Sequence, residues 1–338
     1  MSPLVSEVMQ EYGSATSEAL ARYLPEGYPT QYLYKLVADY PTRGGKMMRP
    51  SICIATARVF GAALSDAVRS AVAIELLHNA MLVHDDIQDN SVLRRGSPTL
   101  HVLHGVPLAI NAGDALFLLS VRPLLDNVIS GGARLGLRIL REMETVAWHS
   151  LEGQAIELGW IRDNVLELSD SEYLSMVLRK TCWLATIHPA RVGALIGSRG
   201  TVDLDSFVRF GFFLGAAFQI QDDLLNIAAD ERYGKELNGD LYEGKRSLLL
   251  IHTYRQCSRA ERARLTAVMR RPRAERGCRD VTWILSLMAN HRSVEYARWF
   301  AHALAGAAVH EFASAFGNLP ESRDKSFLYG LATWIFER

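Results

Sequence analysis

The chain has 338 residues, about half of them hydrophobic, and 37 lysines and arginines balance 37 aspartates and glutamates. That composition fits a globular protein with a large core and argues against the net-basic face of a nucleic-acid binder. The four cysteines, Cys53, Cys182, Cys257 and Cys278, form no CxxC pair, so they read as reduced thiols of a cytoplasmic protein rather than as disulfides or zinc ligands.

The N-terminal MSPLVSEVMQEYG has neither the basic start nor the apolar stretch of a signal peptide. No uninterrupted apolar run approaches the roughly 20 residues of a membrane span, so a soluble protein without membrane insertion is expected. The 11 prolines leave three long stretches open, 124–188, 190–271 and 273–319. A proline inside a helix costs ~3 kcal/mol, so these gaps admit long helices. Apolar residues recur every three or four positions at Leu76, Ala80, Val83 and Ile87, and again at Phe207, Phe210, Leu214 and Phe218. Alternating strand patterns are scarce, and no linker or internal repeat divides the chain. The expected fold is all-α, a single domain over residues 1–338 made of long, mostly antiparallel helices around an apolar cavity. Breaks are expected near Pro25–Pro29, Pro41–Gly45, Arg95–Pro98, Gly105–Pro107, Gly131-Gly132, Gly197–Asp203 and Arg270–Cys278. The last of these is basic but lacks interleaved aromatics, so it reads as a solvated interhelical loop.

In chain order, the first chemical feature is Gly44-Gly45-Lys46-Met47-Met48-Arg49-Pro50. It is not a P-loop, which needs GxxxxGK[ST] after a strand. Its glycines free the backbone to approach an anion, Lys46 supplies a point charge and Arg49 a bidentate fork. Asp85-Asp86-Ile87-Gln88-Asp89 follows within an apolar helical pattern, and Asp222-Asp223-Leu224-Leu225-Asn226 repeats the theme further along. Residues at i and i+4 share a helical face, so Asp85 pairs with Asp89 and Asp222 with Asn226. Ionised carboxylates in apolar helices are costly without partners. Two such clusters facing each other describe a divalent-cation cage, with Mg²⁺ the expected ion. Arg94-Arg95-Gly96 lies just after the first cluster, and Lys235 and Lys245 lie after the second. Acid clusters together with separate basic groups imply two anions held differently, one through metal and one by Lys and Arg. In an apolar helical bundle, two hydrophobic diphosphates satisfy both requirements.

These motifs resemble the trans-isoprenyl diphosphate synthases, or polyprenyl synthetases. GGKMMRP is similar to the family's GGKxxRP, and HNAMLVHDDIQDNSVLRRGSPTLH to its first aspartate-rich region. KTCWL at 180–184, FQIQDDLLN and GKELNGDLYEGKRSLLLIH complete the family's order between about residues 44 and 252. The resemblance is closest to geranylgeranyl diphosphate synthases. It implies the isoprenoid-synthase fold, a homodimer, three Mg²⁺ per site, and condensation of isopentenyl diphosphate with dimethylallyl, geranyl or farnesyl diphosphate. By that resemblance Asp85, Asp86 and Asp89 would bind metal from one wall, and Asp222 with Asp223 from the other. Asn226 replaces a commoner Asp and would be a weaker ligand, orienting a water. Arg94, Lys180 and Lys235 would neutralise the allylic diphosphate. Lys46, Arg49, His78 and Arg95 would hold isopentenyl diphosphate, with Lys245 a further substrate-binding lysine.

The implied reaction is ionisation to an allylic carbocation in a dry cavity, attack by the isopentenyl double bond, and loss of a proton. Thr181 and Gln219 offer oxygen dipoles to the cation. One isoprene unit spans about one helical turn, ~5 Å. Ala80 and Met81, one turn before Asp85, are therefore the expected chain-length positions, with Phe117 or Trp148 as further floor residues. Neither Ala80 nor Met81 is a rigid aromatic, which favours a C20 product. Two alternatives are a class I terpene cyclase and a noncatalytic subunit of a hetero-oligomeric synthase. A cyclase has no use for a second basic set, and a silent subunit has no need of intact metal ligands.

Overall fold

The structure is a computed structural model that describes residues 3–228 and 236–337. It is helical throughout apart from one short hairpin pairing Leu93–Arg94 with Ser97–Pro98. The helices are α1 (Pro3–Ala21), α2 (Lys35–Thr42), α3 (Met48–Val59), α4 (Leu64–Gln88), α5 (Leu100–His104) and α6 (Val106–Gly131). They continue as α7 (Ala133–Arg162), α8 (Asp170–Val177), α9 (His188–Gly197), α10 (Ser206–Ala228) and α11 (Gly239–Glu243). The last are α12 (Leu248–Gln256), α13 (Arg259–Met269), α14 (Cys278–Asn290), α15 (Ser293–Phe316) and α16 (Arg323–Glu337). Leu178–Ile187, between α8 and α9, winds as a π-helix.

Helix α4 organises the interior. Ala73, Ile74 and Leu77 join the main core, whereas Val72, Leu76, Ala80 and Val83 join a second core with Ala109, Ala112 and Leu116 of α6. A helix that is apolar on nearly all sides belongs inside a bundle. Chain ends meet as well: Tyr12 of α1 donates to Asp324 of α16, and Arg58 Nε of α3 lies 3.0 Å from the same carboxylate.

The prolines sit where helices tolerate them, with Pro107 and Pro189 in the first turns of α6 and α9. Pro41 inside α2 and Pro123 inside α6 are the exceptions. The break at 163–169 carries no Pro or Gly signal. There Asn164 takes a left-handed φ of 52° and its side chain donates to the Thr266 carbonyl at 3.0 Å.

One expectation needs correction. The basic stretch 270–278 is more than a solvated loop. Arg276 is buried and donates to the carbonyls of Leu241, Met269 and Arg271 at 2.8, 3.1 and 2.8 Å. Arg273 pairs with Glu236, so the stretch clamps the segment leading into α11. In addition, α6 is long and apolar enough, by length and composition, to cross a membrane. The sequence reading passed over it because Asp114, Arg122 and Asp126 interrupt the run. One face of α6 packs along α4, and Ile110, Phe117, Leu118, Leu125 and Ile129 remain exposed.

Candidate active site

A cavity of about 430 Å³ opens where α3, α4, α7, α8, the π-helix and α10 converge. Two of its walls are carboxyl-terminal helix ends bearing carboxylates. Asp85 is in the last turn of α4, and Asp222 and Asp223 are near the end of α10; Asp89, the C-cap of α4, is buried next to this wall without lining the cavity itself. Negative charge is disfavoured at the electronegative end of a helix, so these carboxylates depend on nearby cations.

On the first wall, Lys180 Nζ lies 3.3 Å from Asp85 Oδ1. Burial alone would raise the Asp85 pKa, but Lys180, then Lys245 and Arg94, hold it well below the carboxylate range. Asp89 is the opposite case, pushed up to about 7 by burial. Its two oxygens are buried and accept no well-directed hydrogen bond, although Lys245 Nζ approaches Oδ2 at 2.9 Å. An orphaned carboxylate of this kind fits a cation-ligand role.

Asp86 departs from the expectation of a metal ligand. It is fully buried and is not on the cavity wall. Arg94 Nε reaches both its oxygens at 3.0 and 3.1 Å, and Tyr40 Oη donates at 2.6 Å. Asp86 thus fixes Arg94, whose guanidinium does line the cavity. The helical period accounts for this: one residue on from Asp85 is about 100° around the helix.

On the second wall, Asp222 and Asp223 line the cavity together with Asp240. Asp223 accepts from Gln219 Nε2 at 2.7 Å and Tyr173 Oη at 3.1 Å, and Gln219 Oε1 accepts from Thr181 at 2.8 Å. Burial, then the Asp240 charge, pushes Asp223 well up. Asn226 does not share this wall. It is buried, its Oδ1 accepts the Asp240 N–H at 3.1 Å and its backbone carbonyl accepts the Asn238 N–H at 2.9 Å. Asn226 therefore shapes the α11 turn that presents Asp240, and is not placed as a ligand. Lys235 lies outside the described residues.

Lys180 is held by Glu157 of α7 as well as by Asp85. Burial would lower its pKa, but Asp85 and Glu157 raise it. Its position depends on Gly153, where a Cβ would sit 2.2 Å from the Lys180 backbone nitrogen. The π-helix turns Lys180 and Thr181 toward α7 and α10, a local distortion common at functional sites. Lys245 links the walls, 2.9 Å from Asp89, 2.8 Å from Glu243 and 3.6 Å from Asp240.

A second basic set stands apart from these carboxylates. Gly45, Lys46, Arg49, His78 and Arg95 line the same cavity beside Glu75. Gly44 at φ 75° and Met47 at φ 52° make the turn that presents Lys46. Arg95 Nη1 donates to the Tyr40 carbonyl at 2.6 Å, and its Nη2 stands 3.9 Å from Glu75 Oε1. Burial, followed by Arg49, pushes His78 down to about 4, so it is a neutral hydrogen-bonding group at pH 7.

The remaining lining is mostly apolar: Met81, Leu151, Met176, Val177, Leu184 and Phe218. Met81 faces it, but Ala80 does not, since Ala80 is fully buried against α6. Phe117 and Trp148 are surface residues and reach no cavity.

The polyprenyl synthetase family model matches residues 30–288. The chain belongs to the polyprenyl synthetase family. It is 31% identical over 336 residues to a geranylgeranyl pyrophosphate synthase of Geoglobus acetivorans, covering 99% of each chain. It is 32% identical over 265 residues to a geranylfarnesyl diphosphate synthase of Natronomonas pharaonis, covering 73% of this chain and 76% of the relative. The crystal structure of a geranylgeranyl pyrophosphate synthetase from Pyrococcus horikoshii superposes with a TM-score of 0.83 at 30% identity, over 99% and 98% of the two chains. This polyprenyl synthetase is a trans-prenyltransferase that joins isopentenyl and allylic diphosphates. Sequence reasoning had not singled out Glu157, Glu75, Tyr173, Gln88 or Asp240 in this site. Asp240 and Gln88 were in motifs already quoted, whereas Glu157 and Tyr173 are placed by partners distant in the chain.

Proposed function

We propose that the chain acts as a cytoplasmic, Mg²⁺-dependent homodimer, each copy one domain, that makes geranylgeranyl diphosphate from isopentenyl diphosphate and dimethylallyl, geranyl or farnesyl diphosphate. The observation that carries this reading is the division of one cavity into three chemistries. Carboxylates with their lysine and arginine partners, a second basic set and a group of apolar side chains all line it. A terpene cyclase would need no second basic set.

Asp85, Asp89, Asp222 and Asp223 would hold Mg²⁺, three ions by family resemblance, with Asp240 at the edge. When bound, the metal supplies Lewis-acid neutralisation of the departing pyrophosphate. Lys180, Arg94 and Lys245 add fixed positive charge to the same diphosphate. Lys46, Arg49, Arg95 and neutral His78 bind the isopentenyl diphosphate head and leave its double bond facing the allylic carbon. The Thr181 and Gln219 oxygens are fixed dipoles beside the carbocation, and Met81, Leu184 and Phe218 exclude water from it.

The C20 product is supported by Met81, a flexible side chain on the cavity wall at the expected chain-length position, where no rigid aromatic closes the pocket. Dimerisation is supported by the exposed stripe of α6, where Leu118 and Ile129 are 73% and 83% exposed. The decisive assay supplies Mg²⁺, isopentenyl diphosphate and each primer, then sizes the dephosphorylated products. Absence of condensation with every primer would sink the catalytic reading, and a C15 or C25 end product would replace the C20 assignment. Leu118→Arg should yield monomer in analytical ultracentrifugation; an unchanged wild-type dimer would remove α6 from the interface.

A further inference from the structure

Away from the cavity, the α12–α13 and α14–α15 turns meet and bring together three side chains of metal-binding type. Cys257 caps the C-terminus of α12, Glu261 is in the first turn of α13, and His291 caps α14. One donor atom from each, a sulfur, a carboxylate oxygen and a ring nitrogen, all lie within 4.8 Å of one another. None of the three residues lines the catalytic cavity.

The spacing suits a shared ion better than direct contact. His291 Nε2 is 3.8 Å from Glu261 Oε2, beyond hydrogen-bond reach, and this buried nitrogen has no hydrogen-bond partner among the described residues. A tetrahedral zinc, with Zn–S ~2.3 Å and Zn–N or Zn–O ~2.0–2.2 Å, keeps its ligand atoms roughly 3.3–3.6 Å apart. Small side-chain rotations therefore close the set. Glu261 is already oriented, since Oε2 accepts the Ser258 N–H and hydroxyl at 2.8 Å each. These two bonds belong to the capping box of α13 and hold the carboxylate in place. Cys257 is 5% exposed, while the side chains of His291 and Glu261 are 22% and 34% exposed. The site is thus sheltered at the sulfur and open to an incoming ion.

We propose that Cys257, Glu261 and His291 form a second metal site, selective for a borderline-soft divalent cation of the Zn²⁺ type, with water as the fourth ligand. Thiolate and imidazole donors disfavour Mg²⁺, so this site and the acidic walls take different ions. The Cys257 thiol releases its proton to solvent as the sulfur–metal bond forms. The ion ties two helical turns together and acts on stability, without touching either substrate. The set escapes a CxxC search because its third member comes 30 residues after the second.

The test titrates full-length protein with Co²⁺ alone, holding Mg²⁺ in excess to occupy the acidic walls. One equivalent should produce a thiolate-to-cobalt charge-transfer band and tetrahedral d–d absorption, and Zn²⁺ should displace both. Cys257→Ser should abolish the charge-transfer band. Glu261→Gln and His291→Gln should weaken affinity by at least the roughly tenfold to hundredfold that losing a supporting group costs. Cys278→Ser, which removes the exposed thiol, should change nothing. Zn²⁺ should raise the melting temperature of wild type and of Cys278→Ser but not of His291→Gln, all with native circular dichroism. Lack of a thiolate band, its persistence in folded Cys257→Ser, or its loss in Cys278→Ser would overturn the proposal. If Cys257→Ser does not fold, unchanged Co²⁺ affinity in His291→Gln overturns it equally.

Discussion

Asp86 offers the sharpest separation between what a DDxxD motif suggests and what the fold does with it. In Asp86→Ala, Arg94 loses a carboxylate whose oxygens stand 3.0 and 3.1 Å from Nε, and Tyr40 Oη loses its 2.6 Å acceptor. The side chains of Arg94 and Asp86 are only 10% and 1% exposed, so water replaces little of what is lost. Breaking a buried pair by removing one partner costs about 3–5 kcal/mol. For a chain of this length that corresponds to a fall of roughly 3–10 °C in melting temperature, extrapolating the size trend of unfolding entropy. Asp89→Ala should behave differently, because it removes a buried carboxylate that accepts no well-directed hydrogen bond. Its stability should hold or rise, while the Mg²⁺ needed for half-maximal rate climbs. Two measurements decide: urea unfolding, and initial rate against Mg²⁺ at saturating substrates. In Asp86→Ala the rate should fall through a mispositioned Arg94, with the Mg²⁺ requirement within about twofold of wild type because no ligand is lost. A native-like urea midpoint combined with a steeply raised Mg²⁺ requirement would make Asp86 a ligand after all and refute the assignment.

Three further outcomes follow from the same geometry. Met81→Phe should shorten the product by at least one isoprene unit, whereas Ala80→Phe should mainly cost stability, about 1–3 kcal/mol from overpacking against α6; product sizing and thermal melts distinguish the two. Gln219→Leu removes the hydrogen bond to Asp223 and the acceptor for Thr181. At about 1.5–3 kcal/mol for a bond to a charged group, kcat should drop roughly 10- to 100-fold with substrate KM little changed in steady-state kinetics. His188 is pushed down to about 3 by burial, then by Arg191. Between that value and the ordinary histidine pKa the unfolded chain binds the extra proton, so stability falls as pH drops through this window, by up to ~1.4 kcal/mol per pH unit from this group. His188→Gln should flatten that slope in urea titrations between pH 6 and pH 4, and an equal slope in both proteins would rule His188 out as its source.

Much of the fold was legible because proline placement and apolar spacing are local signals. The break expected at Gly105–Pro107 falls at the start of α6. Other features required tertiary knowledge. Asp85 and Asp86 are adjacent in sequence, yet only Asp85 lines the cavity, and which of two neighbours faces a partner depends on helix rotation. Ala80 and Met81 diverge for the same reason, because α4 is apolar on both faces and its hydrophobic pattern names no inner side. Asn226 read as the weakest metal ligand because its i+4 spacing from Asp222 was visible, whereas its bond to the Asp240 N–H spans 14 residues. The roles of Glu157 and Tyr173 were not legible, since each takes its place through a distant partner, Lys180 or Asp223.

Lys245 has a consequence for how the catalytic centre takes up metal. Its ammonium stands between Asp89 of one wall and Asp240 and Glu243 of the other, with Lys180 beside Asp85. The two lysines serve as built-in counterions, so the carboxylates can be gathered in one place before any dication arrives. Metal loading would then be an exchange of cations, in which an arriving dication would take the place of an ammonium already paired with Asp85 or Asp89. The displaced ammonium becomes available to the phosphate oxygens that come with the metal. Stripping the metal should accordingly leave the helices in place, and the centre behaves as a small ion exchanger with its own resident salt.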